Sequence, residues 1–231
     1  METSAEWGAR LDAIERGGWV EYLDSHSGLP GPRANLTLLD AVARIADERA
    51  IEELIQDGRE YPTMCAAAAT GRLAGDREAE ARLRALAMDE RWRVREGVVI
   101  GLQILADSSP NATNDIVGRW ADDPSLYVQR AAVATICEPR LLHSRSSAAI
   151  AVDVCRRATH HLTQLPRARR TSAEARTLRQ ALGYCWSVAV AADPTPGLAA
   201  FHALDPDDPD VAWIVKENLR KKRLSRLLVP S

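Results

Sequence analysis

The chain has 231 residues, long enough to bury a sizeable core in one domain or to form a continuous helical array. Hydrophobic residues make up 46% of it, which excludes a disordered chain, and a formal net charge of −2 predicts no general affinity for nucleic acid. That charge is unevenly spread, with 13 Lys+Arg against 21 Asp+Glu in residues 1–115 (−8) and 17 against 11 in residues 116–231 (+6), a gradient that steers a partner without fixing a fold.

Strand signals are poor throughout: there is no sustained two-residue alternation and no Asn-Gly or Asp-Gly hairpin turn between alternating runs. The first stretch, "METSAEWGARLDAIERGG", lacks the apolar run of a signal peptide and holds a short helix pattern around Leu11 to Ile14. "GGWVEYLDSHSGLPGPRAN" then reads as a Gly/Pro loop, so residues 1–34 are expected to cap the first helix hairpin. Asn35 is a candidate N-cap for "LTLLDAVARIAD", followed by "RAIEELIQDG" and "TMCAAAATGRLAG". Asp76 is a candidate cap for "DREAEARLRALAMD". Further helices are expected at "ERWRVREGVVIGLQILAD", "NDIVGRWADD", "SLYVQRAAVATICEPRLL", "SAAIAVDVCRRATHHLTQL" and "SAEARTLRQALGYCWSVAVAAD". The last two are "PGLAAFHAL" and "DVAWIVKENLRKKRLSRL". Breakers between them are short, which predicts antiparallel hairpins stacked in order. The longest apolar stretch, "ALGYCWSVAVAA", is too short to span a bilayer and reads as a buried helix, so a cytoplasmic protein with no membrane partner is expected.

Three segments repeat. Asp89-Glu90-Arg91 precedes "WRVREGV", Asp122-Asp123-Pro124-Ser125 precedes "LYVQRAA", and the acidic run from Asp207 to Ala212 precedes "WIVKENL". Val94, Val128 and Val215 occupy one slot, Trp92, Leu126 and Trp213 another, and Glu96, Arg130 and Glu217 a third. An acidic turn followed by a helix opening with Val-Arg or its like resembles a HEAT repeat, and over roughly residues 76–228 the chain resembles small bacterial HEAT-repeat proteins. The resemblance implies an all-α fold: an α-solenoid of about five stacked helix hairpins, forming one continuous array over residues 35–231. Independently of the resemblance, a hairpin that cannot cover its own apolar face must stack on neighbours.

On a helical wheel with Val94 at zero, Gly97, Val98, Gly101, Leu102 and Leu105 form the buried stripe, and the two glycines let a neighbouring helix approach closely. Trp92, Glu96 and Gln103 fall on the opposite side. Arg95, aligned with Gln129 and Lys216, lies at the stripe edge, within reach of the acidic turn. The expected binding surface is therefore Trp92, Glu96, Arg130, Trp213, Glu217 and Arg220, placed side by side by the stacking of equivalent slots. Trp92 and Trp213 also stand at helix beginnings, where packing under the preceding turn is the competing role. HEAT-like alkylpurine DNA glycosylases place a Trp and an Asp at the spacing seen in Trp92/Glu96 and Trp213/Glu217, but here the acid is Glu and the pair recurs, as a repeat signature does. Phosphate contacts are expected, if anywhere, from the basic tail at Lys216, Lys221, Lys222 and Arg223.

No phosphate loop, GxSxG elbow or HExxH is present, and His160-His161 lacks partners at ligand spacing, so neither a metal nor a cofactor is expected. Cys65, Cys137, Cys155 and Cys185 form no CxxC pair and read as buried free thiols. Trp120 reads as core. The function these features predict is a non-catalytic scaffold for a protein or peptide partner, with nucleic-acid binding as the alternative. The deciding feature is whether the cationic or the Trp/Glu slots dominate the inner face.

Overall fold

The computed structural model describes residues 2–228, which form two compact units that divide between Ser108 and Ser109. Helices account for 77% of the chain, and no strand occurs among the described residues, as the missing alternation requires.

Unit 1 contains α1 (Ser4–Asp12), a 3-10 turn (Arg16–Gly18), α2 (Trp19–Ser25), α3 (Leu36–Ile45), α4 (Glu48–Asp57), α5 (Glu60–Arg72), α6 (Arg77–Leu86) and α7 (Trp92–Ser108). Helices α3, α5 and α7 lie side by side, with α4 against α5, and α6 against both α5 and α7. The expected caps are in place: Asn35 accepts from the Leu38 N–H and Asp76 from the Glu78 and Ala79 N–H groups. The segment expected to cap the first hairpin is itself largely helical. It contributes Trp7, Leu11, Trp19 and Leu23 to the same core as α3 and α5, with the Trp19 indole N–H donating to the Leu11 carbonyl at 3.2 Å. Its loop turns at Gly28, whose φ of 76° suits only glycine, and contains a cis Leu29–Pro30 bond.

Helix α5 is buried from Tyr61 through Gly71, and its alanines meet the glycines of α7. A Cβ on Gly97 would strike the Met64 carbonyl, and one on Gly101 the Ala68 carbonyl, while at Gly71 it would lie 2.6 Å from the Gly101 Cα. The close approach expected from the α7 glycines is thus made to α5.

Unit 2 contains α8 (Pro110–Trp120), α9 (Leu126–Ile136), a 3-10 turn (Pro139–Leu141), α10 (Arg145–Gln164), α11 (Arg167–Arg170), α12 (Ala173–Ala192), α13 (Pro194–His202), α14 (Pro209–Leu219) and α15 (Lys222–Leu228). Helix α12 is central, touching α9, α10, α13, α14 and α15. Trp120 is buried as expected, and so is Trp186, whose indole N–H donates to the Thr159 hydroxyl at 3.0 Å. The sequence from Asp210 to Leu227 divides between α14 and α15 instead of forming the one helix expected. Arg220 ends α14, and the Lys221 N–H turns back to the Asn218 carbonyl at 2.9 Å. Among the described residues no helix is long and apolar enough to cross a membrane.

Candidate binding surface

The acidic turns are built alike. The Asp89 carboxylate accepts the Arg91 N–H at 2.8 Å, and Asp123 accepts the Ser125 N–H at 2.8 Å. Asp208 accepts the Asp210 N–H at 2.9 Å. Asp57 does the same with the Arg59 N–H at 3.2 Å, three residues before α5 begins, which adds a copy that sequence alignment missed. Its signal was present: Asp57 and Arg59 repeat the spacing of Asp89 and Arg91, and in both pairs the arginine Nε returns to the aspartate at 2.9 Å. The Arg side chain holds Asp89 below the usual carboxylate range, and does the same to Asp57.

The slot of Arg95 and Gln129 serves these turns. Arg95 is buried and donates to the carbonyls of Asp89 and Glu90, at 2.5 and 2.9 Å, and Gln129 donates to the Asp123 carbonyl at 2.7 Å. The expected reach to the acidic turn exists, and these three bonds end on backbone oxygens. Lys216, in the third copy of this slot, is exposed.

Copies one and two share one phase: Val94, Val98, Val128 and Ala132 are all fully buried. The third copy departs from the expected alignment. Val215 is half-buried and Leu219 exposed, whereas Ile214 and Asn218 are fully buried, so the inward face of α14 sits one residue earlier. The physical cause is the start of the helix. Asp208 caps it, Pro209 opens it, and Asp210 is drawn inward by Arg179 at 2.6 Å and Arg170 at 3.5 Å.

This shift separates the two tryptophans. Trp92, in unit 1, is 53% exposed at the first position of α7, with the Arg93 guanidinium 4.9 Å from its ring centre and Arg93 paired to Glu60 at 3.1 Å. Glu96 is half-exposed one turn on. Trp213, in unit 2, is half-buried against α12, where a Cβ on Gly183 would come within 2.7 Å of its ring. Arg179 lies 5.2 Å from the same ring centre. Glu217 backs onto the same glycine and pairs with Arg220 at 2.7 Å. Leu126, in the second copy, is buried. One aligned slot therefore holds an open Trp, a core Leu and a packing Trp.

Sequence reasoning missed the side chain around which the cations of unit 2 gather. Tyr184 on α12 is 42% exposed, and the Arg223 guanidinium donates to its hydroxyl at 2.9 Å while lying 4.8 Å from its ring centre. The Lys221 ammonium lies 5.6 Å from the same centre. Lys216, Lys222 and Arg226 are exposed on α14 and α15. Among the described residues no carboxylate pairs with Lys221, Lys222, Arg223 or Arg226. Arg130, half-buried on α9, joins this region: hydrogen bonding to Cys137 and burial push the Cys185 thiol up, and the charges of Arg130 and Arg223 pull it back. Asn218 fixes the frame. Its amide donates to the carbonyls of Leu182 and Ile214 and accepts the Ser187 N–H at 2.8 Å, bracketing Tyr184 on α12. Beside Arg223 opens a cavity of about 310 Å³ lined otherwise by Pro139, Leu142, Val188, Ala191 and Ala192.

All four cysteines are buried and free. Cys65 stands in unit 1, while the Cys137 and Cys155 sulfurs lie 3.6 Å apart in unit 2 and Cys185 hydrogen-bonds to Cys137. Though spread along the sequence, three of the four meet in one cluster. Of the adjacent pair, His160 is exposed and the His161 Nε2–H donates to the Asp122 carboxylate at 2.8 Å. Among the described residues no group of three or more His, Cys, Asp or Glu is placed to hold a metal ion. No family model matches the sequence, and neither a curated protein nor a solved structure matches the chain.

Proposed function

We propose that the chain is a non-catalytic helical-repeat binding protein of HEAT type, acting in the cytoplasm, and that unit 2 binds nucleic acid. The repeated Asp turn and the shared phase of α7 and α9 support the repeat reading. One observation carries the choice of partner: an exposed Tyr184 ring with Lys221 and Arg223 against it and no carboxylate paired to either. Phosphates supply most of the affinity of nucleic-acid binders, and aromatic rings add base stacking of about 1–3 kcal/mol each. Fluorescence anisotropy with a labelled mixed-sequence oligonucleotide tests it. Replacing Lys221 and Arg223 together by Ala weakens binding tenfold or more and lowers the slope of log affinity against log salt by roughly two. Equal affinity and slope in the double variant would remove the reading.

A second reading rests on Trp92. Exposed Trp beside Arg is the commonest composition of an anchor for a protein partner, and Trp92 carries Arg93 against its ring in the acidic half of the chain. Capture of one stoichiometric protein from nuclease-treated lysate, lost in Trp92→Ala, favours this second partner class. Release of alkylated base from damaged DNA, abolished by Glu96→Gln, would replace both readings with a glycosylase.

A further inference from the structure

We infer that the cavity beside Arg223 receives an unpaired nucleobase, so that unit 2 selects single-stranded over duplex nucleic acid; this rests on the nucleic-acid reading above. Tyr184, Val188 and Ala191 follow one another at i, i+4 and i+7 and so share one face of α12. Tyr184 stands at one end of that face and the cavity, lined by Val188 and, at its rim, by Ala191, at the other. Tyr184 and Val188 stand about 6 Å apart along the helix axis, four residues at about 1.5 Å rise each. That is a step comparable with the one between neighbouring nucleotides of an extended strand. Between them sits Arg223, which both touches Tyr184 and lines the cavity. A strand laid along α12 thus meets a stacking ring, a cation for the linking phosphate, and an apolar recess.

The recess has the right scale and chemistry. Its volume of about 310 Å³ is at the small end of ligand pockets, which run from about 300 to 1,000 Å³, so it suits one ring system. Pro139, Leu142, Val188, Ala191 and Ala192 offer only apolar side chains. They cover the faces of a base, while Arg223 is the lining residue with a polar side chain. In a duplex each base is stacked on both faces and paired along its edge. Only an unpaired base enters without the cost of extrusion from the stack. The exposed cations Lys222 and Arg226 continue the strip on α15.

The test uses the full chain and two probes, a twelve-nucleotide single strand carrying one 2-aminopurine and the same strand annealed to its complement. Ala191 is exposed, so Ala191→Phe fills the recess from the rim without disturbing the core. The wild type binds the single strand about tenfold tighter than the duplex, with a change in 2-aminopurine emission. Ala191→Phe keeps its melting temperature and its duplex affinity, loses the tenfold preference and loses the emission change. Equal affinity of the wild type for strand and duplex, or an unchanged preference in Ala191→Phe, overturns the recess while leaving nucleic-acid binding intact. Failure of both probes to bind overturns the underlying reading instead.

Discussion

Trp92 and Trp213 occupy one slot of a sequence alignment and two different environments. The difference reduces to Gly183, which leaves room for the Trp213 ring, and to Pro209, which starts α14 early enough to turn that ring inward. Trp213→Ala is therefore expected to destabilise the protein by about 2–3 kcal/mol, below the 3–5 kcal/mol of a fully buried aromatic because the ring is half-buried. Trp92→Ala should stay within about 0.5 kcal/mol of the parent, as surface changes do. Urea unfolding distinguishes them, and equal losses would show that Trp92 also packs. The sequence makes the buried residues of α7 and α9 legible, because Val94 and Val128 follow a strict period. It could not place Trp213, whose orientation depends on how the Asp208 cap and Pro209 start the helix and on Asp210 being drawn inward by arginines distant in sequence. Tyr184 was passed over for a related reason: it stands in a run of apolar residues, and only the turn between α14 and α15 brings Lys221 and Arg223 to it.

At the level of elements, α5 is the least legible and the most constrained. A helix buried along its whole length has no polar face, so no period announces which neighbour it meets. The glycines of α7 announce that something comes close, but the partner lies some thirty residues earlier in the chain. Gly101→Ala sets a methyl group against the backbone of Ala68 and Gly71, where no side chain can yield. A loss of about 2–3 kcal/mol is expected from this overpacking. Gly118→Ala, where a Cβ meets only the tip of Arg157 at 3.9 Å, is the control and should be neutral or slightly stabilising. The urea midpoints of the two variants check this, and similar midpoints would mean that α7 shifts to make room.

Across the whole molecule, carboxylates tied to arginines and turn amides set the response to acid. Burial pushes the Asp208 carboxyl up, but the Arg170 hydrogen bond and the N–H groups of Val211 and Asp210 outweigh it and hold the group below its usual range. Asp122 is held low by His161 and Arg157, and Asp89 by Arg91. A carboxyl whose folded pKa is depressed contributes stability that is fully present above its unfolded value of about 4 and is lost as pH falls through the folded value. Urea stability should accordingly be flat from neutral pH down to about pH 5 and fall progressively below about pH 4. Asp208→Asn should be less stable at pH 7 and lose less on acidification. A parallel acid limb in the variant would show that Asp208 carries none of the dependence.

The placement of the thiols has a practical consequence for following these transitions. One cysteine belongs to the first unit and three to the second, and all four are shielded while their unit stays closed. An alkylating reagent added during partial denaturation leaves one adduct where only the first unit has opened and three where only the second has. The intact mass of the protein in its natural sequence thus reports which half of the chain gives way first, with no engineered label.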